Sequence, residues 1–399
     1  MTGKYKFNRQ EFAGSLGDLG TILPLALGMI LVNGLSATGL FFSVGLFYIF
    51  TGLYFGITVP VQPMKVIGAY AIATAMSSQQ VLSSSLMMGI LLLIIGLTGT
   101  INIIGKYTPK SVIRGVQLST GILLMTEGVK MMMGTSKMQI LYKMAEPHLK
   151  LQSLGSIPIG IFIGVAGVII TLLLLDNKKM PAGVVIVLMG ILLGLFFGTL
   201  KDFSQIRPGF FLPEFLPFGF PGKIDFTFAV FALVLPQIPM TIGNAVIANA
   251  DLANTYFGEK SGKMTYKSLC ISMALGNFLS FAIGGMPLCH GAGGLGAHYR
   301  FGARTAGSNL MIGFIFIFLV LFLGDGIISF LYLIPMAILG VLLVFAGIQL
   351  AMTILDVTGK KHMFVVVSML GITLSSNLAI SFGVGLVLAN LLKSNRLSV

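Results

Sequence analysis

Two short stretches of this chain carry residue types suited to holding an anion. They are Val59-Pro-Val-Gln-Pro-Met-Lys65 and Met286-Pro-Leu-Cys-His-Gly-Ala-Gly-Gly294. Each contains a proline, which cannot continue a helix, and each runs into a short helix-like segment in apolar surroundings. A helix that starts inside a membrane leaves its first amide N–H groups unpaired, with the positive end of the helix dipole behind them. Two such starts facing each other make a site for an anion. In the first stretch Gln62 offers amide N–H donors, Pro63 and Met64 form the break, and Lys65 adds a charge that is costly at bilayer depth. In the second, His290 offers an imidazole, and Gly291, Ala292 and Gly293 let bare backbone approach a ligand. The bland alternatives are a Lys65 that snorkels or pairs with a carboxylate, a His290 satisfied in the core, and glycines that only pack helices.

Other polar residues inside apolar spans are candidates for supporting the ligand-holding groups from behind or for ion coupling. Asp18, followed by Thr21, and Glu127 are the carboxylates placed well inside spans. Asp18 can hold a proton or pair with Lys65 or His290. Glu127 lies one helical turn from Lys130, which favours a local ion pair. Gln117, Gln237 and Asn244 are uncharged hydrogen bonders, with interhelical contacts as their simpler role. No Walker loop, His-Glu-x-x-His, Gly-x-Ser-x-Gly or Cys/His cluster occurs, so neither enzyme chemistry nor a metal or cofactor is expected. Cys270 and Cys289 match neither a disulfide framework nor a zinc spacing.

The elements that must position these residues are membrane helices. Hydrophobic residues make up 56% of the 399 and charged residues 9%, with mean hydropathy +0.97. A soluble chain of this length needs far more polar surface. Apolar segments are placed near 12–32, 38–57, 62–76, 84–104, 111–133, 157–175 and 182–199. After a polar connection at 200–225 they resume near 226–250, 265–285, 288–300, 304–323, 327–353, 363–375 and 376–392. The fold class expected is all-α integral membrane, with fourteen segments in two inverted repeats of seven, 12–199 and 226–392. Tails at 1–11 and 393–399 flank them. The third and tenth segments hold the two proline breaks and are too short to cross ~30 Å of hydrocarbon.

The net charge of +13 does not mark a nucleic-acid binder, because the basic residues do not cluster with aromatics. Of the 25 basic residues, Lys65 lies in a motif, and Lys130, Lys137, Lys143, Lys150, Lys201, Arg207 and Lys223 fall on one side of the membrane. The rest lie on the side shared by both termini, which places the termini in the cytoplasm of a multi-pass cell-membrane protein.

Four motifs together resemble the plant- and bacterial-type molybdate transporter family, a distant branch of the sulfate permease superfamily. They are Gly17-Asp-Leu-Gly-Thr21, Pro60-Val-Gln-Pro-Met-Lys65, Arg114-Gly-Val-Gln-Leu118, and Pro287-Leu-Cys-His-Gly-Ala-Gly-Gly294 followed by Tyr299-Arg-Phe-Gly-Ala-Arg304. The resemblance runs from about Phe12 to Leu392. It implies core and gate domains as in sulfate permeases and uracil permease, without an appended STAS domain. It also implies that the third and tenth segments meet across the substrate. The partners expected are molybdate or sulfate, H⁺ as coupled ion, the bilayer, and a second copy in a homodimer. A nucleobase–proton symporter and an uncoupled anion channel of the same fold are the alternatives.

Overall fold

Apolar sequence becomes helix here wherever proline or glycine does not intervene. The computed structural model describes residues 5–101, 109–175, 177, 182–199, 209–324 and 326–393. In chain order its first elements are α1 (Arg9–Ser15), α2 (Leu19–Leu31), α3 (Ala37–Phe55), β1 (Gln62–Pro63), α4 (Lys65–Thr74), α5 (Ser78–Thr98) and α6 (Lys110–Met133). There follow α7 (Lys137–Tyr142), the two-residue strands β2 (Ser153–Leu154) and β3 (Ile157–Pro158), α8 (Ile159–Leu174) and α9 (Ala182–Phe197). A long helix, α10 (Lys223–Ser261), opens the second part. It leads to α11 (Tyr266–Ala282), β4 (Leu288–Cys289), α12 (Ala292–Phe301), α13 (Ala306–Leu323), α14 (Gly326–Leu331), α15 (Met336–Ala351), α16 (Lys360–Ser375) and α17 (Leu378–Leu391). Among the described residues, five helices are long and apolar enough to cross a membrane, or six if the bent α1–α2 pair counts as one span.

Several expected segments are broken in ways the hydropathy pattern hid. The segment expected at 12–32 is α1 and α2, bent by 41° at Leu16–Asp18. The segment expected at 327–353 divides into α14 and α15, because Pro335 sits at the α15 N-cap, where a missing N–H costs nothing. The helix expected at 226–250 continues to Ser261 and contains π turns at Ala229–Val234 and Thr241–Ala248. Pro236 and Pro239 lie between those turns and cannot donate to the carbonyls four residues back, so the helix widens on both sides of them. The stretch at 134–156 holds α7 and half of the β2–β3 hairpin. Lys4, Lys106, Lys178, Lys179, Lys201, Arg207 and Arg396 from the charge count lie outside the described residues, as does the connection up to residue 208.

Glycines set the close helix contacts. A Cβ on Gly121 would lie 2.6 Å from the carbonyl oxygen of Gly347, and one on Gly128 would lie 2.5 Å from that of Gly340. The pairing is antiparallel, so α6 and α15 run backbone against backbone, and the start of α6 lies beside the turn Met352–Asp356 after α15. The α3–α13 pair repeats the device, with Gly45 and Gly313 each approaching the other's carbonyl within 2.9 Å. On the outside, Leu173 of α8 is 77% exposed and Phe196 of α9 76%, as a lipid-facing surface requires.

Candidate functional site

The two proline breaks meet. β1 pairs antiparallel with β4, Gln62 opposite Cys289 and Pro63 opposite Leu288, and Met64 N donates to Pro287 O at 2.9 Å. From this two-strand junction α4 and α12 begin, each ten residues long. Extended backbone buried at this depth must find partners within the protein. Two asparagines supply them. Asn309 of α13 accepts from Val59 N at 2.9 Å and donates to Val59 O at 2.7 Å. Asn277 of α11 accepts from Leu288 N at 3.1 Å and donates to Leu288 O at 2.7 Å. Each side-chain amide acts as one residue of a neighbouring strand.

Beside this junction lies a cavity of about 260 Å³. Its polar lining is Thr21, Lys65, Arg114, Gln117, Asn244, Gly293, Gln349 and Thr353, with Leu25, Leu124, Met240, Ala346 and Leu350 completing the wall. Five residues singled out from sequence therefore share one space: Thr21, Lys65, Gln117, Asn244 and Gly293. Lys65 makes no hydrogen bond or ion pair among the described residues and is partly buried. Gly293 has open space where a Cβ would stand. The start of α12, Ala292 to Gly294, carries no side-chain cap.

Other candidates lie behind the cavity wall. Gln62 is buried and donates through Nε2 to Asp18 Oδ1 at 2.6 Å. Asp18 Oδ2 and Gln62 Oε1 are both buried without a partner, and Asp18 interacts electrostatically with Lys65. Pro63 and Met64 are buried in the junction itself. A Cβ on Gly291 would collide with Gln62 Oε1, so this glycine is needed for packing between the two breaks. His290 is fully buried and stacks on Phe47 with ring centroids 4.9 Å apart. Its Nδ1 lies 2.8 Å from Pro60 O, which can only accept, and its Nε2 lies 2.9 Å from Ser272 Oγ. Both ring nitrogens are thus satisfied inside the protein, outside the cavity lining.

Gln237 has an unexpected position. Its Oε1 accepts from Val66 N at 2.9 Å and Ile67 N at 3.2 Å, while its Nε2 donates to Thr241 Oγ1 at 2.9 Å. Two first-turn donors of α4 are therefore closed, and the more open helix start is that of α12. Glu127 lies away from the cavity, with Oε2 3.8 Å from Lys130 Nζ, the local pair its spacing favours. Among the described residues no cluster could hold a metal ion.

Arg114, Gln349 and Thr353 line the cavity without standing out in the sequence as site residues; Arg114 reads there as one more charge beside loop lysines. The available signal was its spacing: it lies three residues before Gln117, on the same helix face. Its Nη1 donates to Gln117 Oε1 at 2.7 Å, and Gln117 Oε1 also accepts from Thr353 Oγ1 at 3.0 Å. The cavity is thus lined by two cationic side chains from different parts of the fold.

The chain matches the family model described as "Molybdate transporter of MFS superfamily" over residues 10–124 and 229–350. It is 30% identical to Molybdate transporter 2 of Arabidopsis thaliana, over 96% of this chain and 87% of that one. It is 28% identical to Molybdate transporter 1 of the same plant, over 94% and 86%. Among solved structures it resembles the transmembrane domain of a cyanobacterium bicarbonate transporter, BicA, with TM-score 0.63, 16% identity, and coverage of 96% of this chain and 98% of that one. It also resembles the murine Slc26a9 anion transporter in its inward-facing state, with TM-score 0.68, 16% identity, and coverage of 98% and 69%. The family's description names the MFS superfamily, whereas the fold seen here is the one shared with BicA and Slc26a9. Fold and matches together define a membrane transport protein, not an enzyme. The chain belongs to the molybdate transporter family.

Proposed function

We propose that this protein is a secondary active transporter that imports a tetrahedral oxyanion, molybdate foremost and sulfate as the second candidate, by alternating access. The observation that carries the reading is the cavity in which Lys65 and Arg114 share a lining with Gly293 of the uncapped α12 start. Two positive side chains and a helix N-terminus match a dianion and are ill suited to a neutral nucleobase. The relatives named as molybdate transporters support the choice of anion. In this reading fourteen segments form two inverted repeats of seven, divided into core and gate domains, and both termini are cytoplasmic. The junction of β1 and β4 then lies near the midplane, where transporters of repeated topology bind substrate.

A dianion entering against 100 mV, inside negative, meets an opposing energy of about 4.6 kcal/mol, so uptake needs a coupled cation or an exchange partner. Asp18, with one carboxylate oxygen unpartnered beside Gln62, is the group we assign to carry a coupling proton. Calorimetric titration of the purified protein with molybdate, sulfate and uracil tests the substrate class. Binding of molybdate, with sulfate weaker and uracil silent, is expected; binding of uracil alone would overturn it. Proteoliposome uptake with and without a pH gradient separates coupled transport from a channel.

A further inference from the structure

We propose that Asp356 is a built-in counter-ion for Arg114 that competes with the transported oxyanion and thereby sets how tightly it is held and how fast it leaves. The proposal rests on the reading of the cavity as an oxyanion site. The antiparallel glycine contacts of α6 and α15 bring the start of one helix beside the turn after the other. There Asp356 grips Arg114 through two bonds, Nε to Oδ1 at 2.8 Å and Nη2 to Oδ2 at 2.6 Å. Lys110 Nζ reaches the same Oδ2 at 2.8 Å.

The geometry divides the arginine's work. A guanidinium has five N–H donors. Asp356 takes one on Nε and one on Nη2, and Gln117 takes one on Nη1. One donor on each terminal nitrogen is left for an oxyanion. The carboxylate also cancels part of the charge the anion would meet. Exposure grades from the cavity outward, with side-chain values of 23% for Arg114, 43% for Asp356 and 60% for Lys110. Solvent reaches all three side chains and screens the pair, so a dianion can displace Asp356 from Arg114 and the pair can re-form as the anion departs. Asp356 itself does not line the cavity. It is a positioning residue that acts through Arg114, and Lys110 draws its charge away from that role.

The competing explanation is that Asp356 only pins the turn Met352–Asp356 to α6. Molybdate titration and initial-rate proteoliposome uptake on the full chain distinguish the two. In Asp356→Asn, Kd should fall about five- to tenfold and maximal uptake should fall with it, since the anion is no longer displaced. Asp356→Glu, which keeps the charge, should restore wild-type Kd. Lys110→Gln should shift Kd the opposite way, several-fold weaker, because Asp356 is then left wholly to Arg114; this variant serves if Asp356→Asn does not fold. Unchanged or weaker binding by a folded Asp356→Asn, or no change in Lys110→Gln, overturns the proposal. A wild-type protein that binds neither molybdate nor sulfate overturns the underlying reading instead, before any variant is made.

Discussion

Lys65 stands at the first turn of α4, partly buried, with no hydrogen bond or ion pair among the described residues, and opens onto the same cavity as Arg114. In a region of low dielectric its attraction for a dianion exceeds that of a solvated lysine. Lys65→Ala should weaken molybdate binding by about tenfold or more, whereas Lys150→Ala, in an exposed connection, should leave it unchanged. Calorimetry checks both, and a folded Lys65→Ala that binds normally would make Lys65 a snorkelling residue. The glycines give a second test. Gly293→Val points into open space and should remove binding with the melting temperature near wild type. Gly291→Val collides with Gln62 and should instead lower the melting temperature by several degrees. That Lys65 and Gly293 stand near one another was legible because prolines flagged the two breaks, whereas Gln62 and Gly291 sit behind the cavity wall. Arg114 was not legible, because a cation near a helix start reads as a loop charge until the helix facing it is known.

At the scale of elements, the non-helical backbone of the two breaks survives because one asparagine on each of α13 and α11 completes its hydrogen bonds. Asn309→Leu strands the N–H and C=O of Val59, and Asn277→Leu those of Leu288, each at about 2 kcal/mol or more of stability. Thermal melts in detergent should show both losses, and a neutral Asn309→Leu would mean the break is held some other way. Neither asparagine was legible, since a polar residue in an apolar span has no address until the fold supplies its partner. Glu146 is a similar case in the connection between α6 and α8. It is fully buried, and its two oxygens accept from Met336 N and Ala337 N at 2.8 Å each, capping α15. Burial pushes this carboxyl up to about 7 from 4.5, against the pull of those two donors. Because the folded value is the higher one, its contribution to stability is full below about 4.5 and is lost as pH rises through about 7, a change on the order of 3 kcal/mol. The wild-type melting temperature should therefore fall between pH 5 and pH 8 more steeply than that of Glu146→Gln. Parallel slopes for the two proteins would contradict the assignment.

For the whole molecule, composition and helix-length apolar runs sufficed to place the chain in a membrane, and the motifs sufficed to point to its family. The junction itself followed from the two proline breaks, at Pro60 to Pro63 and at Pro287, with short helices expected after each. Segment ends, the bend at Leu16–Asp18 and the π turns of α10 did not follow, because hydropathy averages over the very residues that break a helix. The orientation proposed from the basic residues can be read by cysteine labelling from outside the cell. Glu214→Cys should react and Lys393→Cys should not, and the reverse pattern would invert the topology. The central claim is a location: one oxyanion between Lys65, Arg114 and the start of α12. Tungstate has the same tetrahedral shape and charge as molybdate and scatters strongly, so a structure of the tungstate-soaked protein tests that location directly. A single strong peak is expected within hydrogen-bonding reach of the Lys65 ammonium and the Ala292–Gly294 amides, lost in Lys65→Ala. A peak elsewhere in the protein, with this cavity empty, would contradict it.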